Sequence, residues 1–408
     1  MKKTLFISII CLFACTAVQA QTARRGERPR SAFDSLAQTP PMGWNSWNKF
    51  SCNVSEKLIM EIADAMVSSG MKDAGYEYVV IDDCWQISRD ANGNIVPDPD
   101  RFPSGMKALA DYIHSKGLKF GLYSCAGSRT CQGRPGSRGY QFQDARQYAE
   151  WGVDFLKYDW CSNEGQNAEA AYRTMSDALR VCGRPIVFSI CEWGTNEPWR
   201  WPAGIGHMWR ISRDIRDCYE CLFDWGGVGV LEIIDKQVDL WRYAGPGRWN
   251  DSEMLEVGNG RMSYDEYVTH FSMWSMLASP LMAGNDLRDM DKTTIEILTN
   301  KEVIAINQDK MGEQARRFMK MGDHEIWVKQ LDGGDLAMCF MNRSEHVWDL
   351  NYDWNAQTMY FARGINLRTN EYSVRDLWQH KEIGTTAKNM LHKIPGHGVL
   401  MIRLSLKK

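Results

Sequence analysis

Between about residue 40 and residue 310, eight β-like runs alternate with amphipathic helical stretches. The runs are "PMGWNSW", "YEYVVIDDCW", "LKFGLYSC", "VDFLKYDWC", "PIVFSICEW", "GHMWRISRD", "GRWNDSEML" and "SPLMAGND". Between them, Leu58, Ile59, Ile62, Ala65 and Met66 recur at helical spacing behind Ser55, a suitable N-cap. Met106, Leu109, Ala110 and Ile113 repeat the pattern, with Gly117 as the stop. A third helix is expected from Gln141 to Trp151 and a fourth from Asn167 to Val181. Strands separated by helices must run parallel, because the chain crosses back over the sheet each time. Eight such units match a (β/α)₈ TIM barrel, which typically takes ~250 residues. A doubly wound open sheet is the alternative, but no Gly-rich phosphate loop follows an early strand.

The pattern changes after about residue 315. "HEIWVKQL", "DLAMCFMN" and "HGVLMIRLSL" alternate at period two, and "DGG" at 332–334 reads as a hairpin turn. The chain therefore divides into a catalytic barrel over 38–312 and a small antiparallel β-sandwich over 313–408. Ahead of both, Lys2 and Lys3 precede an apolar run from Leu5 to Phe13, and Val18-Gln19-Ala20 suits a signal peptidase. Residues 1–20 are read as a signal peptide and 21–37 as a flexible polar leader. Export to the periplasm or the medium follows. A rival reading makes "LFAC" a lipobox with Cys15 lipidated, which Phe13 suits poorly. No other apolar stretch is long enough to span a bilayer. The net charge of −3, without blocks of like charge, gives no electrostatic case for nucleic acid or an anionic membrane. Ten of the 12 cysteines lie beyond the signal, where an oxidising compartment allows disulfides.

The run "DFLKYDWC" sets Lys157 and Asp159 on one face of a buried strand, since side chains alternate. Burying either charge alone is costly, so the stretch is an ion pair or the rim of a pocket. Other strands end the same way: Asp82 and Asp83; Cys191, Glu192 and Trp193; Arg210 and Asp214; Asp251 and Glu253; Asn285 and Asp286. A lone Asp after a strand reads equally well as a helix cap, and Asp83 and Asp286 stand open to that reading. Six endings at the C-terminal mouth of a barrel point to a site. The 17 tryptophans suit a core first, and sugar-ring stacking second. Carboxylates accept from hydroxyls while Lys and Arg donate to them, so this pocket suits a neutral polyhydroxylated ligand. Two carboxyls could hydrolyse a glycoside. Asp159 beside Lys157 should stay ionised, as a nucleophile must. The second carboxyl must begin protonated and wants a less cationic setting. Asp214 has a suitable reach, with Asp82 and Glu192 as competitors.

The segments "PPMGWNSWN", "YVVIDDCW", "GLYSCAG", "PGSRGYQFQDA", "WGVDFLKYDWC", "CEWG", "WRISRDI" and "GPGRWNDSEMLEVGNG" resemble glycoside hydrolase family 27, the α-galactosidase family. "VRDLWQHKE" resembles its sandwich domain. The resemblance implies a retaining exo-α-galactosidase without metal or cofactor, with Asp159 as nucleophile and Asp214 as acid/base. It implies that Asp82 and Asp83 hold the 4- and 6-hydroxyls of galactose, and Lys157 the 3- and 4-hydroxyls. Arg210, Cys191, Glu192 and Trp193 would sit near the 2-hydroxyl, Trp44 would form an apolar wall, and Tyr123 and Met254 would line the pocket. It further implies disulfides Cys52–Cys84 and Cys131–Cys161. For Cys218 and Cys221, a local disulfide or free thiols fits better than half a zinc site. Cys182 and Cys339 are expected as buried thiols.

Three residues depart from the family pattern: Cys125 and Glu253, each where Asp is usual, and Trp160 where Asn is usual. The stretch Thr195 to Trp209 and the later "CYECLFDWGG" are also individual. Related activities fit the same motifs, namely a β-L-arabinopyranosidase or an α-N-acetylgalactosaminidase. A galactose-binding protein without hydrolysis is the alternative outside the enzyme class, and retention of both carboxylates, Lys157 and Arg210 argues against it.

Overall fold

The computed structural model describes residues 32–356 and 365–407. The signal peptide, Cys15 and the first part of the expected leader lie outside the described residues. Eight parallel strands form the first sheet: β1 Met42–Asn45, β2 Tyr78–Val80, β3 Lys119–Cys125, β4 Phe155–Asp159, β5 Val187–Cys191, β6 Met208–Arg210, β7 Trp249–Asp251 and β8 Leu281–Ala283. Their order is β8-β1-β2-β3-β4-β5-β6-β7. Leu255, just beyond β7, donates its N–H to the Met282 carbonyl at 2.7 Å and bridges to β8, closing the (β/α)₈ barrel. Each strand falls within one of the eight runs.

Helices between the strands arise as the periodicity dictates. Ser55 caps Glu56–Ser68 through the Leu58 N–H, and Asn167 caps Ala168–Val181 through the Ala170 N–H. The Gln141–Trp151 helix ends at Gly152, whose φ of 83° suits glycine. Apolar faces of these helices share one core with the outward-pointing strand residues, including Trp44, Leu122, Leu156, Phe188 and Trp209. The inward-pointing set, Tyr78, Val80, Phe155, Val187, Met208, Trp249 and Met282, fills the barrel's interior.

One expectation fails at the N-terminal edge. Residues 32–37 of the expected leader are docked: Phe33 is buried, and its carbonyl lies 2.8 Å from His207 Nε2. Phe33 packs its ring under the Arg180 guanidinium, and Leu36 packs against the barrel's interior cluster.

Beyond the barrel come β9 Arg316–Met321, β10 His324–Gln330, β11 Leu336–Asn342, β12 Trp348–Tyr352, β13 Tyr372–Asp376, β14 Lys381–Thr385, β15 Met390–Ile394 and β16 Val399–Leu406. Six form an antiparallel sheet ordered β9-β10-β11-β16-β13-β14, faced by the β12-β15 pair. The "DGG" turn joins β10 to β11 as a hairpin. The other face of this sheet packs on the barrel: Trp327, Ala337, Cys339 and Met401 belong to the barrel's own core. Polar pins accompany that contact. Thr269 Oγ1 donates to the His397 carbonyl at 2.6 Å, and Trp378 Nε1 donates to Ser272 Oγ at 2.9 Å. Buried Lys329 donates to the Ile306 and Ser275 carbonyls at 2.7 and 3.4 Å.

Candidate active site

At the C-terminal mouth of the barrel, a hollow of about 210 Å³ is lined by Trp47, Asp82, Asp83, Tyr123, Lys157, Asp159, Trp193, Asp214 and Glu253, together with Arg213, Trp225 and the Cys131–Cys161 disulfide. Register explains the convergence. Tyr123 lies opposite Lys157, and Cys125, Asp159 and Cys191 form one rung across β3, β4 and β5. Alternation turns Lys157 and Asp159 inward together, while Trp160 turns outward against Tyr172, with ring centroids 5.6 Å apart. The departure at Trp160 is therefore a packing matter.

Lys157 pairs directly with Asp82, Nζ to Oδ2 at 2.7 Å, and Asn45 Nδ2 donates to the same oxygen at 2.8 Å. Burial alone would lower the Lys157 pKa, yet Asp82 and further acids hold it above its ordinary value, a fixed cation. Asp83 accepts the Cys84 and Gln132 N–H groups at 2.7 and 2.9 Å. Asp83 thus both organises its loop and faces the hollow. Asp286 takes the cap role instead, accepting from the Arg288 N–H outside the hollow.

Asp159 is almost fully buried. Tyr123 Oη donates to its Oδ2 at 2.8 Å, and the Trp160 N–H to its Oδ1 at 2.8 Å. Burial pushes its pKa up to about 6; Lys157 and the two donors oppose the rise, and Asp214 adds to it. Lys157 acts in the expected direction, lowering the Asp159 pKa, and a carboxyl near 6 is still mostly ionised at neutral pH. The nearest anion to Lys157 is Asp82, and desolvation outweighs the remaining attraction. Asp214 sits among cations. It lies beyond β6, 3.1 Å from Arg210 Nη2. Burial would raise it, but Arg210 and Lys157 outweigh burial and hold it below the usual carboxylate range. The setting is more cationic than sequence reasoning asked for. Asp214 is among the charges that raise Asp159, so the two carboxyls interact and their protonation is linked.

Arg210 is buried between Asp214 and Glu253, whose Oε1 lies 3.2 Å from Nη1. Glu253 also accepts the Ile215 N–H at 3.1 Å, so this carboxylate braces the segment that carries Asp214. Cys125 donates its thiol to the Cys161 carbonyl at 3.0 Å, and burial pushes that thiol well up.

Several expected residues stand elsewhere. Trp44 does not reach the hollow. Gly43 and Asn45 occupy the inward positions of β1, so the Trp44 indole points out into the helix layer and donates to the Asn285 carbonyl at 2.7 Å. Trp47, at the start of the following short helix, lines the wall in its place. Met254 lines a second, smaller cavity of about 30 Å³ inside the barrel, shared with Lys157, Arg210 and Glu253. Glu192 is buried and turned to Asn196, accepting its N–H and its side-chain amide at 2.7 Å each. Burial raises Glu192 to about 7, but it does not line the hollow. Cys191 sits behind it, 3.7 Å from Arg210 Nη1. Arg213 and Trp225 are not among the expected site residues, although one adjoins Asp214 and the other lies in the individual "CYECLFDWGG" stretch.

All three proposed or possible cystine pairs are formed: Cys52–Cys84, Cys131–Cys161 and Cys218–Cys221. Cys339 is a buried thiol, whereas Cys182 is only half-buried, donating to the Leu179 carbonyl at the end of its helix. The local pairing of Cys218 with Cys221 removes the half-site for zinc.

A barrel with this carboxyl-lined mouth and a β-sandwich behind it defines a class of sugar-cleaving enzyme, and comparison with known proteins narrows it. The family described as Alpha galactosidase A matches residues 39–309, and the Alpha galactosidase C-terminal beta sandwich domain matches residues 321–404. The chain is 53% identical over 379 residues to alpha-galactosidase A of Cellvibrio japonicus, covering 91% of this chain and 93% of that one. The crystal structure of α-galactosidase I from Mortierella vinacea superposes with a TM-score of 0.86 at 40% identity, covering 91% of this chain and 98% of that chain. That of the Saccharomyces cerevisiae α-galactosidase with raffinose gives 0.87 at 31% identity, covering 93% and 100%. The chain belongs to the α-galactosidase family, glycoside hydrolase family 27, and is a glycoside hydrolase.

Proposed function

We propose that the protein is a retaining, exo-acting α-galactosidase that removes terminal α-D-galactosyl residues from oligo- or polysaccharides. The observation that carries the reading is one sugar-sized hollow lined by both Asp159 and Asp214, with Asp82, Asp83 and Lys157 around them. Asp159 attacks the anomeric carbon as the glycosidic C–O bond breaks, and Asp214 gives its proton to the departing oxygen. Water then attacks the same carbon, Asp214 takes the water's proton, and the bond to Asp159 breaks, releasing α-galactose. Asp82 is tied to Lys157 and Asn45, so it acts as an acceptor for sugar hydroxyls rather than as the acid. Asp82 and Asp83 receive the 4- and 6-hydroxyls, Lys157 the 3- and 4-hydroxyls, and Arg210 and Trp193 the 2-hydroxyl side. Trp47 supplies the apolar wall.

In the reactive form Asp159 is ionised and Asp214 carries the proton. Three disulfides and the N-terminal signal pattern support export to the periplasm or the medium. The deciding test is Asp159→Asn: turnover of an aryl α-galactoside is lost while galactose binding survives. Full activity in that variant removes Asp159 from the mechanism.

A further inference from the structure

The outer wall of the hollow is not made by strand ends. It is made by the segment beyond β6, which brings Arg213 and Trp225 to the hollow together with Asp214. This segment is held in place at several points. Val228 donates its N–H to the Asp214 carbonyl at 3.0 Å, Phe223 donates to the Gly227 carbonyl at 2.9 Å, and Cys218–Cys221 closes the turn between them. The Trp225 indole lies directly on Gly227, where even a methyl group would collide with the ring. Phe223 stacks on it with centroids 5.9 Å apart, and the Arg216 guanidinium sits 4.5 Å from its centroid. An indole fixed this firmly nevertheless leaves 49% of its surface exposed and faces the hollow. Arg213 stands beside it and donates to the Trp225 carbonyl at 3.4 Å; no carboxylate among the described residues pairs with it.

Resting on the α-galactosidase reading, we infer that Trp225 and Arg213 form a subsite for the first pyranose of the leaving group. The indole meets the C–H face of that ring, and the guanidinium donates to its hydroxyls. The position fits, because Asp214 faces the glycosidic oxygen, and whatever flanks Asp214 at the mouth lies on the leaving-group side. Asp82, Asp83 and Lys157, deeper in the hollow, take the galactosyl side.

The test compares kcat/KM on raffinose, whose leaving group begins with a pyranose, with kcat/KM on α-galactosyl fluoride, whose leaving group has no ring. Trp225→Ala lowers the raffinose-to-fluoride ratio by roughly tenfold, the upper range for a single aromatic contact. Trp225→Phe restores most of the ratio. Gly227→Ala, which displaces the ring without removing it, lowers the ratio as Trp225→Ala does. A ratio that stays at the wild-type value in Trp225→Ala overturns the subsite, including the case where both rates fall together because the indole only braces Asp214. A wild-type protein that hydrolyses neither galactoside overturns the galactosidase reading itself, and the subsite with it.

Discussion

Removing one hydroxyl from the hollow tests the electrostatic account directly. Tyr123→Phe deletes the O–H that Asp159 Oδ2 accepts at 2.8 Å and leaves the Trp160 N–H as the remaining donor. A hydrogen bond to a charged group contributes about 1.5–3 kcal/mol. Losing it raises the proton affinity of Asp159 by roughly one to two pKa units, from about 6. If the shared proton already favours Asp159, the alkaline limb of kcat/KM moves from near 6 to roughly 7–8, and the plateau below it falls about 10- to 100-fold. Above the new limb both carboxyls are ionised in either enzyme. The rate there depends on protonating Asp214 alone, so the two profiles converge. Initial rates on an aryl α-galactoside from roughly pH 4 to pH 9 give both curves. A loss of the same size at every pH, or a limb that does not move, refutes the argument that Tyr123 acts through the charge on Asp159.

Stability carries the same signature with the opposite sign. The Asp159 pKa rises from 3.8 to about 6 on folding, so its contribution is fully present below 3.8 and is lost as pH rises through 6, about 3 kcal/mol in all. Asp159→Asn should therefore unfold at higher urea than wild type near neutral pH, with the gap closing in acid; an equal gap at both pH values contradicts the assignment. Lys329 supplies a second case. Burial lowers its pKa from 10.5 to about 7, so folding stability rises with pH across that window and is lost as pH falls toward 7. Lys329→Met should flatten that rise in urea titrations at several pH values, and an undiminished slope would assign it to other groups.

The barrel was legible because parallel strands and their crossover helices impose two different periods on one chain. The sandwich was legible from a third pattern, short β-like runs without helices between them after residue 315, although β10 and β11 are buried on both faces instead of alternating. Asp159, Lys157, Asp82 and Asp83 could be found because they interrupt apolar runs where burial is otherwise continuous. The Trp44 assignment could have been corrected from sequence. Gly43 and Asn45 leave room and polarity on the inward face, so the indole between them must turn outward. Glu192 was harder, since adjacent residues at a strand end look alike until the backbone turns at Trp193, where φ is 62°. Arg213 and Trp225 stand on a segment whose course depends on a disulfide and on contacts with Val228, and no periodicity encodes those. The opposing shifts of the two carboxyls were not legible, because spacing reports which charges are neighbours but not how much water each one loses.

The order of strands in the second sheet has a consequence for how the molecule comes into being. The last strand, β16, lies in the middle, between β11 and β13. Until it arrives, the sheet exists as two unconnected halves, and the barrel surface that Met401 covers remains open to water. The sheet cannot be completed before Val399–Leu406 has been made, so a chain that lacks this strand loses the seam of the whole assembly.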